Sequence, residues 1–407
     1  MTVKYVLYRA FQFALKQGEK IIKFPEPILI EGAGSVIKLA EYVKNSGVDS
    51  VLIVTGKTVS KMDNFNEMLD SLAKLNIKYT VFKDTASNPT INNVEDAAEN
   101  YRRNSCGGII AFGGGSPIDC AKAAAARVSN PDKTIRQLRG YFKLTKKLPP
   151  LFAVPTTSGS GSECTVAAVI TDEKTHEKFA ISDSKLIPTV AVIDPDLTVG
   201  LPAKITAETG MDALTHAVEA YIGRSGTSYT DEKAEKASKL ILENLETAYS
   251  DGKNLTARYN MAIASYYAGL AFTRAFVGYV HAIAHALGGL YGIPHGLANA
   301  IILPYVLEYY GESARPKLAK LSAAAKLGDK NTTEKELSEL FIDRIRTMNN
   351  NMGVPSEIGC IKSEDIPLIV ERVLKEANPY YPVPKIMNRN DCKEILLKIS
   401  VGDIQSQ

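Results

Sequence analysis

The pattern of apolar and polar positions divides the chain near its middle. From about residue 27 to residue 200, short apolar runs that end at glycine, proline or aspartate alternate with segments of helical periodicity. The apolar runs read PILIEGAG, VDSVLIVTG, IKYTVFKD, GGIIAFGGG, LFAVPTT, KFAIS and TVAVIDP. Because strands separated by helices are joined by crossover connections, this alternation predicts a parallel β-sheet with helices on both faces.

The rest of the chain has long segments of helical periodicity and few β-branched runs. The clearest of these segments are DALTHAVEAYIG, TDEKAEKASKLILENLETAYSDG, TARYNMAIASYYAGLAFTRAF and TEKELSELFIDRIRTM. We therefore predict an α/β domain over residues 1–200 and an all-helical domain over residues 201–407. The first residues, MTVKYVLYRAFQFALKQGEK, lack the apolar core and cleavage site of a signal peptide. We predict a surface helix or arm there, with a mitochondrial presequence as the less favoured alternative.

The segment from Ala275 to Leu307 contains no Asp, Glu, Lys or Arg, yet it holds three of the chain's five histidines. His281 and His285 are four residues apart and share one face of a helix. His295 follows a Gly-Ile-Pro sequence that predicts a helix end and a turn. The segment is long enough to span a membrane, but five glycines and two prolines interrupt it. Two interpretations of these histidines remain. They are either core residues hydrogen-bonded to backbone carbonyls or ligands of a metal ion. Another histidine, His176, matches no motif and is assigned to a loop.

Composition and charge exclude several classes of protein. A hydrophobic fraction of 45% with 23% charged residues is typical of a globular protein. The net charge of +3 gives no basic surface of the kind that nucleic acids require, so we predict no nucleic-acid partner. We also predict no membrane partner, because the long apolar segment is interrupted by glycines, prolines and histidines. The five cysteines are scattered, without a C-x-x-C pair, which disfavours a disulfide framework and favours the cytoplasm.

Two polar, glycine-rich loops follow predicted strands. Gly113-Gly114-Gly115-Ser116 lies where a strand ends and a helix begins, so its backbone N–H groups and the helix dipole can hold a phosphate. It is not the G-x-G-x-x-G fingerprint, and a purely structural turn is an equal alternative. Residues 155–163, PTTSGSGSE, form the second loop, which offers hydroxyls for a ribose or amide, or simply caps the next helix. Open α/β sheets bind ligands at the carboxyl ends of their strands, which favours the first interpretation of both loops.

Asp212 and His216 lie four residues apart on one predicted helical face. In isolation they are better explained as a surface pair. Together with His281 and His295 they make three imidazoles and one carboxylate, a set that suits Fe²⁺, Zn²⁺ or Co²⁺ and disfavours Mg²⁺ or Ca²⁺. Such an ion can bind a substrate alcohol and lower its pKa, which leaves an alkoxide ready to release hydride. With the metal on the helical domain and a dinucleotide on the α/β domain, we expect the reaction site in the cleft between them.

These motifs together resemble the iron-containing (group III) alcohol dehydrogenases. The matching sequences are Asn88-Pro89, GGGSPID at 113–119, PTTSGSGSE at 155–163, GMDALTHAVEAY at 210–221 and GYVHAIAHALGGLYGIPHG at 278–296. They occur in family order, and the last is highly specific because its histidines are spaced by four and ten residues. The resemblance implies an N-terminal Rossmann-like domain followed by an all-helical metal-binding domain, as in the dehydroquinate synthase-like fold. It also implies a homodimer.

The resemblance assigns roles to individual residues. It implies that Asp212, His216, His281 and His295 bind the metal, with Fe²⁺ favoured and Zn²⁺ as the alternative. His285 resembles a family histidine near the substrate that is not a ligand, and we predict a catalytic role for it in proton relay or substrate orientation. The remaining residues are predicted to bind the cofactor: Gly114, Gly115 and Ser116 at the pyrophosphate, Asp119 close by, and Asn88, Thr156, Thr157 and Lys178 along the cofactor cleft.

One departure from the family pattern bears on the cofactor. Members that prefer NAD(H) have an aspartate at the end of the second strand, where this chain has Gly56 followed by Lys57 and Thr58. An aspartate there bonds the ribose 2′-hydroxyl and repels a 2′-phosphate. Gly56 removes that repulsion, and Lys57 and Thr58 can bind the phosphate. We therefore predict a preference for NADP(H) over NAD(H).

The leading hypothesis is a metal-dependent NAD(P)-linked alcohol dehydrogenase or aldehyde reductase that acts on small primary alcohols and aldehydes. A polyol or polyol-phosphate dehydrogenase, or a dehydroquinate synthase-like lyase, shares the same two-domain plan. Phosphorylated substrates require a basic cluster near the metal, and the segments around the predicted ligands supply almost none. A non-catalytic binder is disfavoured by the intact set of ligands.

Overall fold

The computed structural model describes residues 3–19, 22–175 and 177–400 of the protein. The loop prediction for His176 falls outside the described residues. The strands are β1 Ile28–Glu31, β2 Ser50–Val54, β3 Lys78–Phe82, β4 Gly108–Gly113, β5 Gly140–Tyr141, β6 Leu151–Pro155, β7 Ala167–Asp172, β8 Glu177–Ser182 and β9 Val190–Ile193. Each of the seven predicted apolar runs contains a strand, and β5 and β7 are additional.

Long helices dominate the second half of the chain, as the sequence predicts. The helices are α1 Val3–Glu19, α2 Leu39–Asn45, α3 Asp63–Lys74, α4 Ile91–Arg103, α5 Gly115–Ser129, α6 Ala203–Ile222, α7 Ser228–Ser250, α8 Leu255–Ala275, α9 Tyr279–Tyr291, α10 His295–Tyr310, α11 Arg315–Ala324, α12 Glu334–Asn351, α13 Ile366–Ala377 and α14 Arg389–Ile399. The predicted helical N-terminus corresponds to α1.

A parallel sheet of six strands organises the first half of the chain, in the order β1-β9-β6-β4-β2-β3. Successive residues of β4 enter two separate cores, as the alternation of side chains along a strand requires. Ile109 and Ala111 pack with α4 and α5 on one face, whereas Ile110 and Phe112 pack with α2 and α3 on the other. The predicted sheet with helices on both faces is confirmed.

A second, smaller sheet has the order β5-β8-β7. Strands β7 and β8 pair antiparallel, and β5 pairs parallel with β8 over two residues. The run KFAIS, predicted as a strand, therefore lies in this small sheet and not in the main one. The antiparallel β7–β8 pair is joined by a short connection, which the strand–helix rhythm of the flanking sequence does not indicate.

The chain forms two compact units. The sheet unit comprises Lys23–Leu201 with Gly252–Gly269, and the helical unit comprises Met1–Ile22, Pro202–Asp251 and Leu270–Gln407. The predicted fold class, α/β followed by all-helical, is confirmed. The units differ from the predicted segments in two respects, because α1 belongs to the helical unit and most of α8 to the sheet unit. The division at residue 200 stays a prediction.

No single helix among the described residues is both long and apolar enough to cross a membrane. Within that part of the chain, one strongly bent pair of helices, α8 and α9, meets the requirements of length and composition when the two are taken together.

Candidate functional site

Three buried polar side chains lie on one face of α6 in the helical unit. Asp212, His216 and Glu219 are spaced by four and three residues, so they point the same way from the helix. All three are buried, at 6%, 5% and 3% exposure. Two carboxyl groups and an imidazole removed from water on one face need partners that compensate their desolvation.

Helix α9 and the turn after it supply the imidazole partners. His281 is buried on α9, which ends at Gly292 in the left-handed conformation with φ of 70°. Glycine adopts that conformation without strain, and the chain reverses to begin α10 at His295. The ring centroids of His281 and His295 are 5.3 Å apart, and those of His281 and His216 are 4.5 Å apart. The turn predicted from Gly-Ile-Pro therefore brings His295 back to His281.

The spacing of these groups is close to that of a metal site. One potential ligand atom on each of Asp212, His216 and His281 lies within 4.8 Å of the others. His295 adjoins them, with its Nε2 3.5 Å from Asp212 Oδ1. A transition-metal ion lies about 2 Å from each nitrogen or oxygen ligand, so ligand atoms around it are roughly 3–4 Å apart. The donor set and its burial fit a divalent transition metal.

Glu219 is a site residue that the sequence analysis missed. Its Oε2 lies 2.6 Å from Nδ1 of His281, and its carboxylate also accepts hydrogen bonds from the N–H groups of Gly278 and Val280. Burial raises the pKa of Glu219 to about 7, and the two backbone donors oppose that shift. Burial also holds the pKa of His281 well below its usual value, and the neighbouring histidines add to this effect. The position seven residues after Asp212 was the available signal.

His285 has a different environment from His281. Its Nδ1 lies 2.7 Å from Glu376 Oε1 on α13, and the same oxygen accepts a hydrogen bond of 2.8 Å from the Tyr381 hydroxyl. The His285 ring stacks on that of His295, with centroids 5.0 Å apart. The side chains of His285 and His295 are 26% and 33% exposed, so the cluster opens towards these two residues. Neither Glu376 nor Tyr381 belongs to a motif in the sequence that indicates a site.

In the sheet unit, the two glycine-rich loops lie against each other. They follow β4 and β6, which are neighbours in the sheet. A methyl group on Gly114 would lie 3.1 Å from Thr157 Cγ2, and one on Gly115 would lie 3.0 Å from Ser160 Cβ. Helix α5 begins at Gly115, so the free N–H groups of its first turn lie at the junction of the loops. Thr156 is buried beside them, and its N–H donates to the Gly113 carbonyl.

The other predicted cofactor residues also have defined positions. Lys178 Nζ donates to Asn88 Oδ1 at 2.8 Å, and burial lowers the pKa of Lys178. The Ser116 hydroxyl donates to the Ser87 carbonyl. Asp119 is engaged at both oxygens, by the Ser162 hydroxyl at 2.6 Å and by the Val169 N–H at 3.0 Å. Asp119 therefore ties α5 to the second loop.

Gly56 and Lys57 follow the end of β2. No atom of the described residues lies within 4 Å of the position that a methyl group on Gly56 would occupy. Lys57 Nζ lies 3.2 Å from Asp84 Oδ1, and both side chains are mostly exposed. Asp84 follows β3, and no motif in the sequence indicates it.

Comparison with known proteins places the chain in a family. Residues 26–195 match the model for iron-containing alcohol dehydrogenases, and residues 206–400 match the model for the C-terminal part of the same family. The 1,3-propanediol dehydrogenase of Citrobacter freundii is 38% identical over 369 residues, which cover 89% of this chain and 95% of that protein. The chain belongs to the iron-containing alcohol dehydrogenase family.

Solved structures of other proteins are also similar to this chain. An alcohol dehydrogenase from Oenococcus oeni has 36% sequence identity and a TM-score of 0.89, covering 93% of this chain and 99% of that one. A sulfoacetaldehyde reductase from Bifidobacterium kashiwanohense in complex with NAD⁺ has 28% identity and a TM-score of 0.83, covering 94% and 99%.

The protein is therefore an enzyme, an oxidoreductase that acts on CH–OH groups. It is a metal-dependent, nicotinamide-linked alcohol dehydrogenase or aldehyde reductase. The leading hypothesis from the sequence is confirmed at this level.

Proposed function

We propose that Asp212, His216, His281 and His295 bind a single divalent metal ion, Fe²⁺ in preference to Zn²⁺. The observation that supports this most directly is the grouping of ligand atoms from Asp212, His216 and His281 within 4.8 Å. His295 completes a set of three imidazoles and one carboxylate through its approach to Asp212. The family model, described as iron-containing, favours iron over zinc.

When bound, the ion acts as a Lewis acid that lowers the pKa of a substrate hydroxyl or polarises a carbonyl. The protein's own groups orient its ligands. Because Glu219 engages Nδ1 of His281, the Nε2 lone pair of that ring is directed away from Glu219 and towards Asp212. A carboxylate behind a metal-binding histidine fixes the tautomer and the ring orientation.

We assign His285 to proton relay or substrate orientation. Its Nδ1 is engaged by Glu376, and this contact fixes the orientation of the imidazole ring. Tyr381 donates to the same Glu376 oxygen and so holds that carboxylate in place. The partial exposure of His285 supports access for a small molecule.

The sheet unit supplies the proposed dinucleotide site. The N-terminus of α5, with Gly114, Gly115 and Ser116, would hold the pyrophosphate. Thr156, Thr157 and the hydrogen-bonded pair of Asn88 and Lys178 would contact the rest of the cofactor. The tight approach of Gly114 and Gly115 to the second loop supports this assignment, because larger residues would separate the two loops. Asp119 would contribute by holding the loops together.

The proposed preference for NADP(H) depends on Gly56, Lys57 and Thr58. No acidic side chain follows β2 at Gly56, and the space beside it is open. Lys57 supplies a cation, which Asp84 partly neutralises. The related sulfoacetaldehyde reductase was solved with NAD⁺, so the two cofactors must be compared directly.

The proposed substrates are small primary alcohols and the corresponding aldehydes. Short diols are included because the Citrobacter freundii relative is named for 1,3-propanediol. We further propose a cytoplasmic homodimer. Among the described residues the five cysteines form no disulfide, and four of them are buried, which is consistent with a reducing compartment.

The proposed ligand set is tested by single substitutions of His281 and His295 with Ala, in protein reconstituted with Fe²⁺ under anaerobic conditions. Both variants should lose bound metal, measured by mass spectrometry of digested protein, and lose turnover. His285→Ala is the matched control, because it removes an imidazole from the same helix and should keep the metal while losing turnover. Retention of metal and activity in His281→Ala would refute the assignment.

A further inference from the structure

Asn299 lies inside the metal centre although no motif singles it out. It is fully buried on α10, four residues after His295 and on the same helical face. Its Nδ2 lies 2.7 Å from Asp212 Oδ1, 3.2 Å from His295 Nε2 and 3.3 Å from His281 Nε2. One amide nitrogen thus contacts three of the four proposed ligands.

The chemistry of a carboxamide sets an order among these contacts. The amide nitrogen carries two N–H donors, so it cannot form three full hydrogen bonds. The shortest contact is with the Asp212 carboxylate, and hydrogen bonds to an ionised acceptor are the stronger ones. Each imidazole nitrogen has a single lone pair, which a metal ion would take, whereas a carboxylate has lone pairs for both a metal and an amide.

The orientation of the Asn299 side chain is defined by this contact. In the part of the chain that the structure describes, its Oδ1 is buried and has no hydrogen-bond partner. The reversed orientation would place that oxygen against the Asp212 carboxylate, which is repulsive. The amide nitrogen of Asn299 therefore contacts the proposed ligands, whereas its amide oxygen has no hydrogen-bond partner among the described residues.

We propose that Asn299 is a positioning residue of the metal centre. Its amide group holds Asp212, His281 and His295 together before an ion binds, and it releases the two imidazoles when the ion arrives. It keeps its bond to Asp212 Oδ1, and the remaining lone pairs of that carboxylate stay available to a metal ion. This inference rests on the proposed ligand set.

The test compares Asn299→Leu with Asn349→Leu. Leucine keeps the approximate volume of the side chain and removes the donor. Asn349 is a matched control because it is also buried, its Oδ1 also has no partner among the described residues, and its Nδ2 donates to the carbonyl of Ala300, next to Asn299. The affinity of each purified protein for Zn²⁺ is measured by competition with a chromophoric chelator, and Co²⁺ absorption reports the coordination geometry.

We expect Asn299→Leu to bind Zn²⁺ about 10- to 100-fold more weakly than the wild type, as for other residues that hold metal ligands. Its Co²⁺ spectrum should also change, whereas Asn349→Leu should keep both properties. Wild-type affinity in Asn299→Leu, or an equal loss in both variants, would overturn the inference. Thermal melting of the metal-free proteins reports folding, and if the leucine variant does not fold, Asn299→Ser replaces it in the same comparison.

The His281→Ala variant separates this inference from the ligand set on which it rests. If His281→Ala retains Zn²⁺, the proposed ligand set is wrong. If His281→Ala loses Zn²⁺ and Asn299→Leu binds it normally, the ligand set stands and only the role of Asn299 is wrong.

Discussion

Glu219 Oε2 lies 2.6 Å from Nδ1 of His281, and this contact joins α6 to α9 in the core of the helical unit. The same carboxylate accepts hydrogen bonds from the N–H groups of Gly278 and Val280, at the free N-terminus of α9. One buried carboxylate thus orients a proposed metal ligand and caps the helix that carries it. Metal binding and stability of the helical unit should therefore both depend on Glu219.

Replacing Glu219 with Gln tests this dual role. An amide has one accepting oxygen and an NH₂ group, so at least one of the three donors around position 219 would lose its acceptor. We expect the free energy of unfolding to fall by about 1–3 kcal/mol and metal affinity to fall by about 10- to 100-fold. Denaturant unfolding and metal competition measure the two effects. Glu243→Gln, at an exposed position on α7, is the control and should change stability by less than about 0.5 kcal/mol. Equal behaviour of the two variants would contradict the assignment.

The close packing of the two loops in the sheet unit predicts that a methyl group added at Gly115 weakens dinucleotide binding. In Gly115→Ala the added methyl group would lie 3.0 Å from Ser160 Cβ, so the loops would have to separate. We expect KM for the dinucleotide to rise roughly tenfold, which corresponds to about 1.4 kcal/mol of binding, with a smaller effect on kcat. Steady-state kinetics with varied cofactor measures this.

A compensating change sharpens the experiment on the loops. Ser160→Gly removes the side chain that the new methyl group meets, so the double variant should recover part of the lost affinity. Gly200→Ala is the control, because its added methyl group has no atom within 4 Å in the part of the chain that the structure describes. Normal cofactor binding by Gly115→Ala would show that the loops do not need this close approach.

The cofactor preference is predicted to respond to charge after β2 and β3. Gly56→Asp restores an acid that repels a 2′-phosphate, and like charges at a binding site cost up to several kcal/mol. The ratio of kcat/KM for NADPH to that for NADH should fall by roughly tenfold or more. Asp84→Asn should raise the same ratio, because it frees Lys57 from its counter-ion.

A second exposed ion pair in the same unit provides the control for cofactor preference. Lys44 Nζ lies 2.7 Å from Asp49 Oδ1, and both residues precede β2 in the sequence. Asp49→Asn should leave the cofactor ratio unchanged. A clear NADH preference in the wild type, unaltered by Gly56→Asp, would show that these residues do not select the cofactor.

The environment of His285 predicts a loss of turnover without a loss of metal. A residue that moves or orients a proton typically accounts for a 10²- to 10⁴-fold effect on rate. His285→Ala should therefore lower kcat within about that range. Glu376→Gln should have a smaller effect in the same direction, because it weakens the contact with His285 Nδ1. Rapid-quench or stopped-flow turnover, with metal content measured on the same samples, checks both variants, and loss of metal in His285→Ala would contradict the division of roles.

Local spacing was sufficient to predict much of this arrangement. The i, i+4 spacing of Asp212 and His216, and the turn before His295, were visible because they depend on residues near in sequence. Glu219 and Asn299 occupy the same faces as predicted ligands, but a glutamate or asparagine on a helix is more often exposed, so burial had to be observed. Glu376 reaches His285 from 91 residues away, a distance in sequence that no periodicity reports.

The part of the fold that depends on residues near in sequence was also predictable. Buried parallel strands such as β4 and β6 read as continuous apolar runs between helices. The small sheet was only partly predicted. Strand β5 has only two residues, and every second residue of β7 is buried, so neither reads as a continuous apolar run. In addition, no helix among the described residues separates β7 from β8. The roles proposed for Glu219, Glu376 and Asn299 follow from contacts that only the folded chain provides. The roles of the predicted metal ligands were already implied by the resemblance.

The most direct test of the central claim is anomalous diffraction from crystals of the metal-loaded protein, collected on both sides of the iron and zinc absorption edges. We predict one strong iron peak bounded by Asp212, His216, His281 and His295, with Asn299 bonded to Asp212 and His285 outside the ligand sphere. A peak held by other residues, or no peak at these four in active crystals, would contradict the account.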